Sequence, residues 1–393
     1  MFAFLCGARK LSGAIFAVLS LVWLTACGGG FGGGANSGGP KIDTSKPVPV
    51  ALLVPAGGGN AADDALAQSL ENAARLAMSE LAGVTIDLKV YNTAGNPNQT
   101  IIATTQAVAD GAKIILGPVY AQNATAAGDA APGLNVLSFS NNPAVAGGNV
   151  FVLGNSFQNT ADRLVRYAAA TGKGNILVVN GQNIAEELGR DAVLRAISST
   201  PGANAAGVQS FELSQTSVIN AVPEIAKAAK TSGANAVFLT SGTDGAIPFL
   251  AQLLPENGLA PSQIQYIGLQ RWDIPTSART LPGLQGGWFA MPDPGLQDEF
   301  QQRYLAAYGA SPHAIAGLAY DGIAAIGALV KAGKADALTG AALTQPQGFV
   351  GVNGVFRLLP NGTTERGLAI AQIQDQKIVV LDPAPRSFAG AGY

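Results

Sequence analysis

A single histidine, His313, and two cysteines, Cys6 and Cys27, carry the most versatile chemistry in this 393-residue chain. As a general base, His313 would need an orienting acid and a nucleophile beside it. No G-x-S-x-G nucleophile turn is present, and Ser311-Pro312-His313 reads as a helix start or surface position. One histidine with these cysteines leaves only scattered carboxylates for a metal. The phosphate loop G-x-x-x-x-G-K-[ST] does not occur, and Gly57-Gly58-Gly59 fails the G-x-G-x-x-G spacing. Glu186 and Glu187 are adjacent, so a helix would point them about 100° apart, which predicts solvated surface rather than a paired acid and base. Catalysis, a metal and a cofactor are therefore not expected.

Cys27 has a different setting. It closes Leu24-Thr25-Ala26-Cys27, after basic Arg9 and Lys10 and an apolar run from Leu11 to Ala26. That run is shorter than the roughly 20 residues of a membrane-spanning helix, and small Thr25 and Ala26 leave the backbone open to a peptidase. The segment resembles a bacterial lipobox. The resemblance implies that residues 1–26 are removed as a signal peptide and that Cys27 is acylated. Residues 27–47, rich in Gly, Ser, Asn and Pro, then read as a tether spanning roughly 25 Å. An exported protein held on the periplasmic face of the envelope is expected. By likeness to lipoproteins, Gly28 after the cysteine points to the outer membrane more than to the inner.

Composition narrows the partners. Charged residues make up 12% of the chain and the net charge is −2, with no basic stripe to neutralise phosphates, so nucleic acid is excluded as a partner. No later segment is apolar for the roughly 18 residues that a span requires. Cys6 falls in the leader and Cys27 takes lipid, so stability is expected from core burial and not from a disulfide.

From Val48 onward, strand and helix patterns alternate. Val48–Val54 is a short apolar run ending at Pro55 and a glycine loop, as a buried strand would. Asp63–Leu81 has helical apolar spacing, with Asp63 and Asp64 at its positive end. Strands follow at 84–90, 113–116 and 136–139, with helices at 100–109 and 120–131 between them. A second cycle runs through helices at 161–170, 185–197 and 218–229 and strands at 176–179, 208–211 and 236–240. Repeated βα units rich in Val, Ile and Leu predict parallel sheets covered on both faces. Phe349–Leu358 and Leu368–Leu381 read as closing strands, with Asn361-Gly362 as a turn between them.

Ligands of open α/β sheets bind beyond the carboxyl ends of strands. In the first block that rule selects Tyr120, Gln122 and Asn123, whose helix start could hold a carboxylate, and Ser138, Ser140, Asn141 and Asn142. In the second block it selects Asn180, Gln182 and Asn183, then Ser241, Thr243 and Asp244, then Gln270, Arg271, Trp272 and Asp273. Neutral hydrogen-bonding side chains predominate, as suits reversible capture of a small polar solute. The same residue types also build turns and caps.

Val50-Ala51-Leu52-Leu53-Val54-Pro55, Tyr91-Asn92-Thr93-Ala94-Gly95-Asn96-Pro97, Ile114-Ile115-Leu116-Gly117-Pro118 and Val136-Leu137-Ser138-Phe139-Ser140 together resemble type I periplasmic binding proteins of the leucine/isoleucine/valine-binding subgroup. Ala319-Tyr320-Asp321-Gly322 and Gly351-Val352-Asn353-Gly354-Val355-Phe356-Arg357 are similar too. The resemblance implies two doubly wound, Rossmann-like lobes joined by three crossovers and closing on a ligand. It assigns 48–152 with 284–343 to lobe 1, 153–283 with 344–382 to lobe 2, and 383–393 to a tail. Within that group the chain looks most like the penicillin-binding protein activator lipoproteins, which regulate peptidoglycan synthases. The alternative is an amino-acid receptor of an ABC transporter, so the expected partner is a cell-wall synthase or an ABC permease. Two departures bear on the ligand. Ala121-Gln122-Asn123 stands where the amino-acid receptors carry hydroxyl side chains, and Asn180–Glu186 lacks their tyrosine. If the lipid anchor matters, Cys27→Ala should give a folded, released protein that fails in the cell; normal function of that variant, by complementation, would make the anchor incidental.

Overall fold

The computed structural model describes residues 38–388; Cys27 and its proposed lipid lie outside that range. The first sheet has five parallel strands in the order β2-β1-β3-β4-β5: β1 (Val48–Val54), β2 (Ile86–Asn92), β3 (Ile114–Leu116), β4 (Val136–Ser138) and β5 (Val150–Val152). Helices α1 (Ala61–Glu80), α2 (Pro97–Ala109) and α3 (Ala121–Ala130) connect them. Both faces of β1, β3, β4 and β5 are buried, as their composition requires, while the edge strand β2 exposes Asp87 and Lys89. Val50, Leu52 and Val54 point into one core, while Ala51 and Leu53 point into another behind the sheet.

The second lobe repeats the scheme. Its strands are β6 (Asn175–Gly181), β7 (Asn204–Phe211), β8 (Ala236–Leu239), β9 (Gln265–Gly268) and β10 (Trp288–Met291). Helices α4 (Phe157–Ala170), α5 (Ile184–Ser199), α6 (Gln215–Thr231) and α7 (Ile247–Glu256) accompany them. The alternation recurs: Leu177 and Val179 face one core, Ile176 and Val178 the other. Helices α8 (Pro294–Tyr308), α9 (Gly317–Lys331) and α10 (Gly340–Leu343) follow. Next come β11 (Phe349–Gly351), β12 (Gly354–Leu358) and β13 (Thr364–Arg366), then β14 (Ala369–Gln374) and β15 (Lys377–Asp382). The β14–β15 hairpin extends the second sheet antiparallel to β10, giving the order β15-β14-β10-β9-β8-β6-β7.

Local chemistry starts the helices where the sequence changes character. Asn60, Asn96, Ser156 and Asn183 each accept a first-turn N–H at the head of α1, α2, α4 and α5. Pro97 fits the first turn of α2, where its missing N–H costs nothing.

Three assignments expected from the sequence are corrected. β10 pairs within the second sheet, so residues 284–291 go with lobe 2 and the chain crosses only after Met291. Strands β11, β12 and β13 form their own antiparallel sheet, and Phe349, Val352, Phe356 and Leu358 pack into the core of lobe 1. That crossing therefore falls after Arg366 and not at 344, because an apolar hairpin found cover in the nearer core. The tether is also shorter than expected. Ile42 is buried in lobe 1, its N–H donates to Ala335 O at 2.8 Å, and Asn135 Nδ2 donates to Gly38 O at 3.3 Å.

The crossings meet at one buried ion pair. Arg366 Nη1 donates to Asp321 on α9 at 2.8 Å, and its Nε donates to Leu153 O, at the first crossing, at 2.9 Å. The Arg366 N–H donates to Asn159 Oδ1 on α4 in lobe 2, at 2.9 Å. Asp321 also accepts the Val352 N–H at 2.8 Å and Asn353 Nδ2 at 3.0 Å. Neither side chain of the pair is more than 2% exposed. Breaking one member of such a pair leaves the other charge uncompensated. Asp321→Asn is accordingly expected to cost about 3–5 kcal/mol, measured by urea denaturation; a loss under about 1 kcal/mol would show that the pair does not organise the crossings.

Candidate functional site

In the first sheet the strand order reverses between β1 and β3; in the second, between β6 and β8. These reversal points splay the following loops apart and make a crevice at the carboxyl ends of the strands. A cleft of about 570 Å³ opens between the lobes beside the lobe 1 reversal point and the loop after β9 in lobe 2, within the range of small-molecule sites. A separate depression of about 490 Å³ surrounds residues 194–205. It lies at the amino end of β7, away from the loops that the topology opens.

Lobe 1 contributes Val119, Tyr120 and Ala121, together with Phe139, Ser140, Asn141 and Asn142. Gly117 makes the first of these loops possible. Its φ is +88°, and a Cβ there would fall 2.3 Å from Leu53 O. Tyr120 stands at the N-cap of α3 without capping it, so the first-turn N–H groups of that helix receive no side chain from the N-cap. Its hydroxyl donates instead to Asp63 of α1, joining the two loops of the reversal point. That bond first, then burial, pushes the phenol up to about 12.

The loop after β4 is held by a chain of side-chain bonds. Ser138 Oγ donates to Pro118 O at 2.9 Å and accepts the Ser140 N–H at 3.1 Å. Ser140 Oγ accepts the Asn142 N–H at 3.1 Å, and Asn142 caps the next turn. This is turn chemistry that fixes the loop's shape, with Ser140 at the cleft and Ser138 behind it.

Lobe 2 contributes Leu269, Gln270, Arg271 and Ile274. Arg271 forms a forked pair with buried Asp273, with Nε to Oδ1 at 2.9 Å and Nη2 to Oδ2 at 2.5 Å. Its Nη1 reaches Gln297 of α8, in lobe 1, at 3.3 Å. Around the crossings the wall is completed by Asn155, Phe157, Thr160, Met291, Pro292, Asn353, Arg366 and Leu368.

Of the residues selected from the sequence, Tyr120, Ser140, Asn141 and Asn142 line the cleft, as do Gln270 and Arg271. The others do not. Gln122 is exposed on α3 and Asn123 is buried beneath it. Asn180 is fully buried, accepting from Ser210 Oγ at 2.9 Å. Gln182 and Asp244 are exposed outside the cleft, and Thr243 Oγ1 donates to Ile274 O at 2.7 Å, shaping the loop. Trp272 is fully buried in lobe 2, and a Cβ on Gly268 would meet its indole at 2.3 Å. An aromatic ring beside a polar cleft found a better partner in the core.

Glu186 also departs from its expected surface position. It is 7% exposed and accepts from the Gly181 N–H at 2.6 Å, Thr240 Oγ1 at 3.0 Å and Ser241 Oγ at 2.7 Å. Asn183 Oδ1 accepts the Glu186 N–H, the first half of a capping box, while the carboxylate reaches back past Asn183 to the Gly181 N–H and ties the reversal point of lobe 2 together. His313 is exposed in the loop before α9.

Sequence reasoning missed Arg366 and the apolar wall. The available signal was a lone Asp321 amid Leu318, Ala319, Ile323 and Ala325 on one helix, which demands a buried cation elsewhere in the chain. Among the described residues, no three His, Cys, Asp or Glu gather as a metal set, and no helix is long and apolar enough to cross a membrane.

Comparison with known proteins agrees with this architecture. Residues 47–377 match the sequence profile of a family described as periplasmic binding protein. No curated protein sequence matches the chain. A solved structure of a putative branched-chain amino acid ABC transporter protein from Rhodospirillum rubrum is similar, with TM-score 0.72 and 18% identity over 86% of this chain and 100% of the other. An ABC transporter substrate-binding protein from Desulfitobacterium hafniense in complex with Leu gives TM-score 0.61 and 16% identity, covering 86% of this chain and 100% of that one. A solute binding protein of an ABC transporter from R. palustris in complex with benzoate gives 0.56 and 18%, covering 87% and 97%.

The raised Tyr120 value means that its bond to Asp63 favours the folded chain fully below pH 10 and is lost as pH rises through about 12. Tyr91 and Tyr320 are raised to about 12 as well, so ultraviolet titration should find several tyrosines near that value, one of which returns toward 10 in Asp63→Asn; an unchanged titration curve would show that the two loops are not joined by this bond.

Proposed function

Since the chain belongs to the periplasmic binding protein family, we propose that it is the solute receptor of an ABC permease, capturing a small molecule between its two lobes. The cleft carries this reading. Loops that follow β3 and β4 in lobe 1 and β9 in lobe 2, with the three chain crossings, surround one volume of about 570 Å³, and the solved proteins of similar fold are named for transport and for bound small molecules. They favour the receptor over the cell-wall synthase regulator that the sequence alone suggested. A solute touching both lobes would stabilise the closed arrangement, which a permease can distinguish from the open one. Acylation at Cys27 would hold the receptor on the periplasmic side of the envelope. Members of this family bind their solutes without transforming them.

The test is a thermal-shift panel of amino acids, short carboxylates and sugars on the purified chain. A true solute present at 100 times its Kd should stabilise the folded state by about 2.7 kcal/mol. X-ray scattering should then show a smaller radius of gyration. A flat panel, together with specific capture of a peptidoglycan synthase, would overturn the receptor reading in favour of the regulator.

A further inference from the structure

The charge lining the cleft is one-sided. Arg271 and Arg366 are its charged side chains, and no aspartate or glutamate lines it. Acids in the surrounding elements are engaged elsewhere, Asp293 among them, which accepts the Gly295 and Leu296 N–H groups. Asp321 holds Arg366 and the backbone of Val352, Asp273 holds Arg271, and Asp63 takes the Tyr120 hydroxyl. Glu186 is enclosed by Gly181, Thr240 and Ser241. An ammonium group desolvated in this cleft would have no counter-ion, and burying an unpaired charge is strongly unfavourable.

Donors are available instead. Arg366 is 4% exposed, its Nε and Nη1 are satisfied by Leu153 O and Asp321, and its Nη2 has no hydrogen-bond partner in the protein. A buried donor left unpaired forfeits its hydration without compensation, so an acceptor brought by a ligand gains more there than at a surface. The guanidinium also lies over the Phe356 ring, 4.8 Å from its centroid, which fixes its plane. The uncapped start of α3 adds partial positive charge on the lobe 1 side. Around these donors the wall is apolar, with Phe139, Leu269, Ile315 and Leu318.

We infer that the cleft selects an organic anion with an apolar body and no ammonium group, its carboxylate accepting from Arg366 Nη2. The inference rests on the cleft being a solute site. It separates this chain from receptors of zwitterionic amino acids, because the acid that would meet the ammonium is missing from the lining.

Three probes isolate the choice: L-leucine, 4-methylpentanoate (leucine without its amine) and 3-methylbutylamine (leucine without its carboxylate). Benzoate serves as a second anion. Calorimetry on the full chain should show 4-methylpentanoate or benzoate binding at least about ten-fold tighter than L-leucine, with no binding of 3-methylbutylamine. Arg366→Lys keeps a cation beside Asp321 but removes Nη2, and should weaken anion binding by about ten-fold or more. If that variant does not fold, the series on the unaltered chain decides alone. L-Leucine binding as tightly as the anions, or undiminished anion binding by a folded Arg366→Lys, overturns the inference and leaves the receptor reading standing. Binding of only a neutral solute does the same. Binding of none of the four overturns the inference, and the receptor reading falls with it only if the wider thermal-shift panel is also flat and a peptidoglycan synthase is captured.

Discussion

A charge pair at the centre of three chain crossings is the constraint on which the rest of this structure depends. Asp321 and Arg366 are almost completely removed from water, so neither is tolerable without the other. Each then recruits backbone from a different crossing. Arg366 reaches Leu153 O at the first and, through Asn159, the leading helix of lobe 2. Asp321 gathers Val352 and Asn353, and Asn353 stands 3.5 Å from Gln297, just beyond the second crossing. A hydrophobic cluster would hold such a junction less selectively, because apolar contacts have no preferred direction. The ion pair fixes which strands meet and leaves the loops beyond them free to face one another.

What was legible in the sequence follows from periodicity. Val48–Val54 reads as a strand buried on both faces because every residue is apolar or small, and the structure divides its side chains between two cores. The loops at the carboxyl ends were legible for the same reason, since the βα rhythm locates them. Which side chain in a loop faces the cleft was not. Tyr120 and Trp272 look alike in a sequence, yet one stands at the cleft and the other fills a pocket beside Gly268. The difference lies in backbone geometry and in neighbours distant in the chain. Glu186 misled for a related reason: adjacency to Glu187 suggested solvent, whereas three donors from two strands enclose it. The crossings were misplaced because β10 and the β11–β12 hairpin choose their cores by tertiary contact.

The two lobes solve the same topological problem with different chemistry. In lobe 1 a tyrosine-to-aspartate bond joins the loops at the reversal point and leaves the tyrosine ring at the cleft. In lobe 2 a buried glutamate joins them and is used up in doing so. Lobe 2 thus uses a buried acid inside its own reversal point, while the cleft beyond the loop after β9 is lined by two guanidinium groups and no carboxylate.

The most direct measurement is a crystal structure of the chain grown with saturating 4-methylpentanoate. The account predicts the ligand between the loops that follow β4 and β9, touching both lobes, with a carboxylate oxygen about 3 Å from Arg366 Nη2. A ligand bound elsewhere, or seated in the cleft with its carboxylate turned away from Arg366, would contradict it.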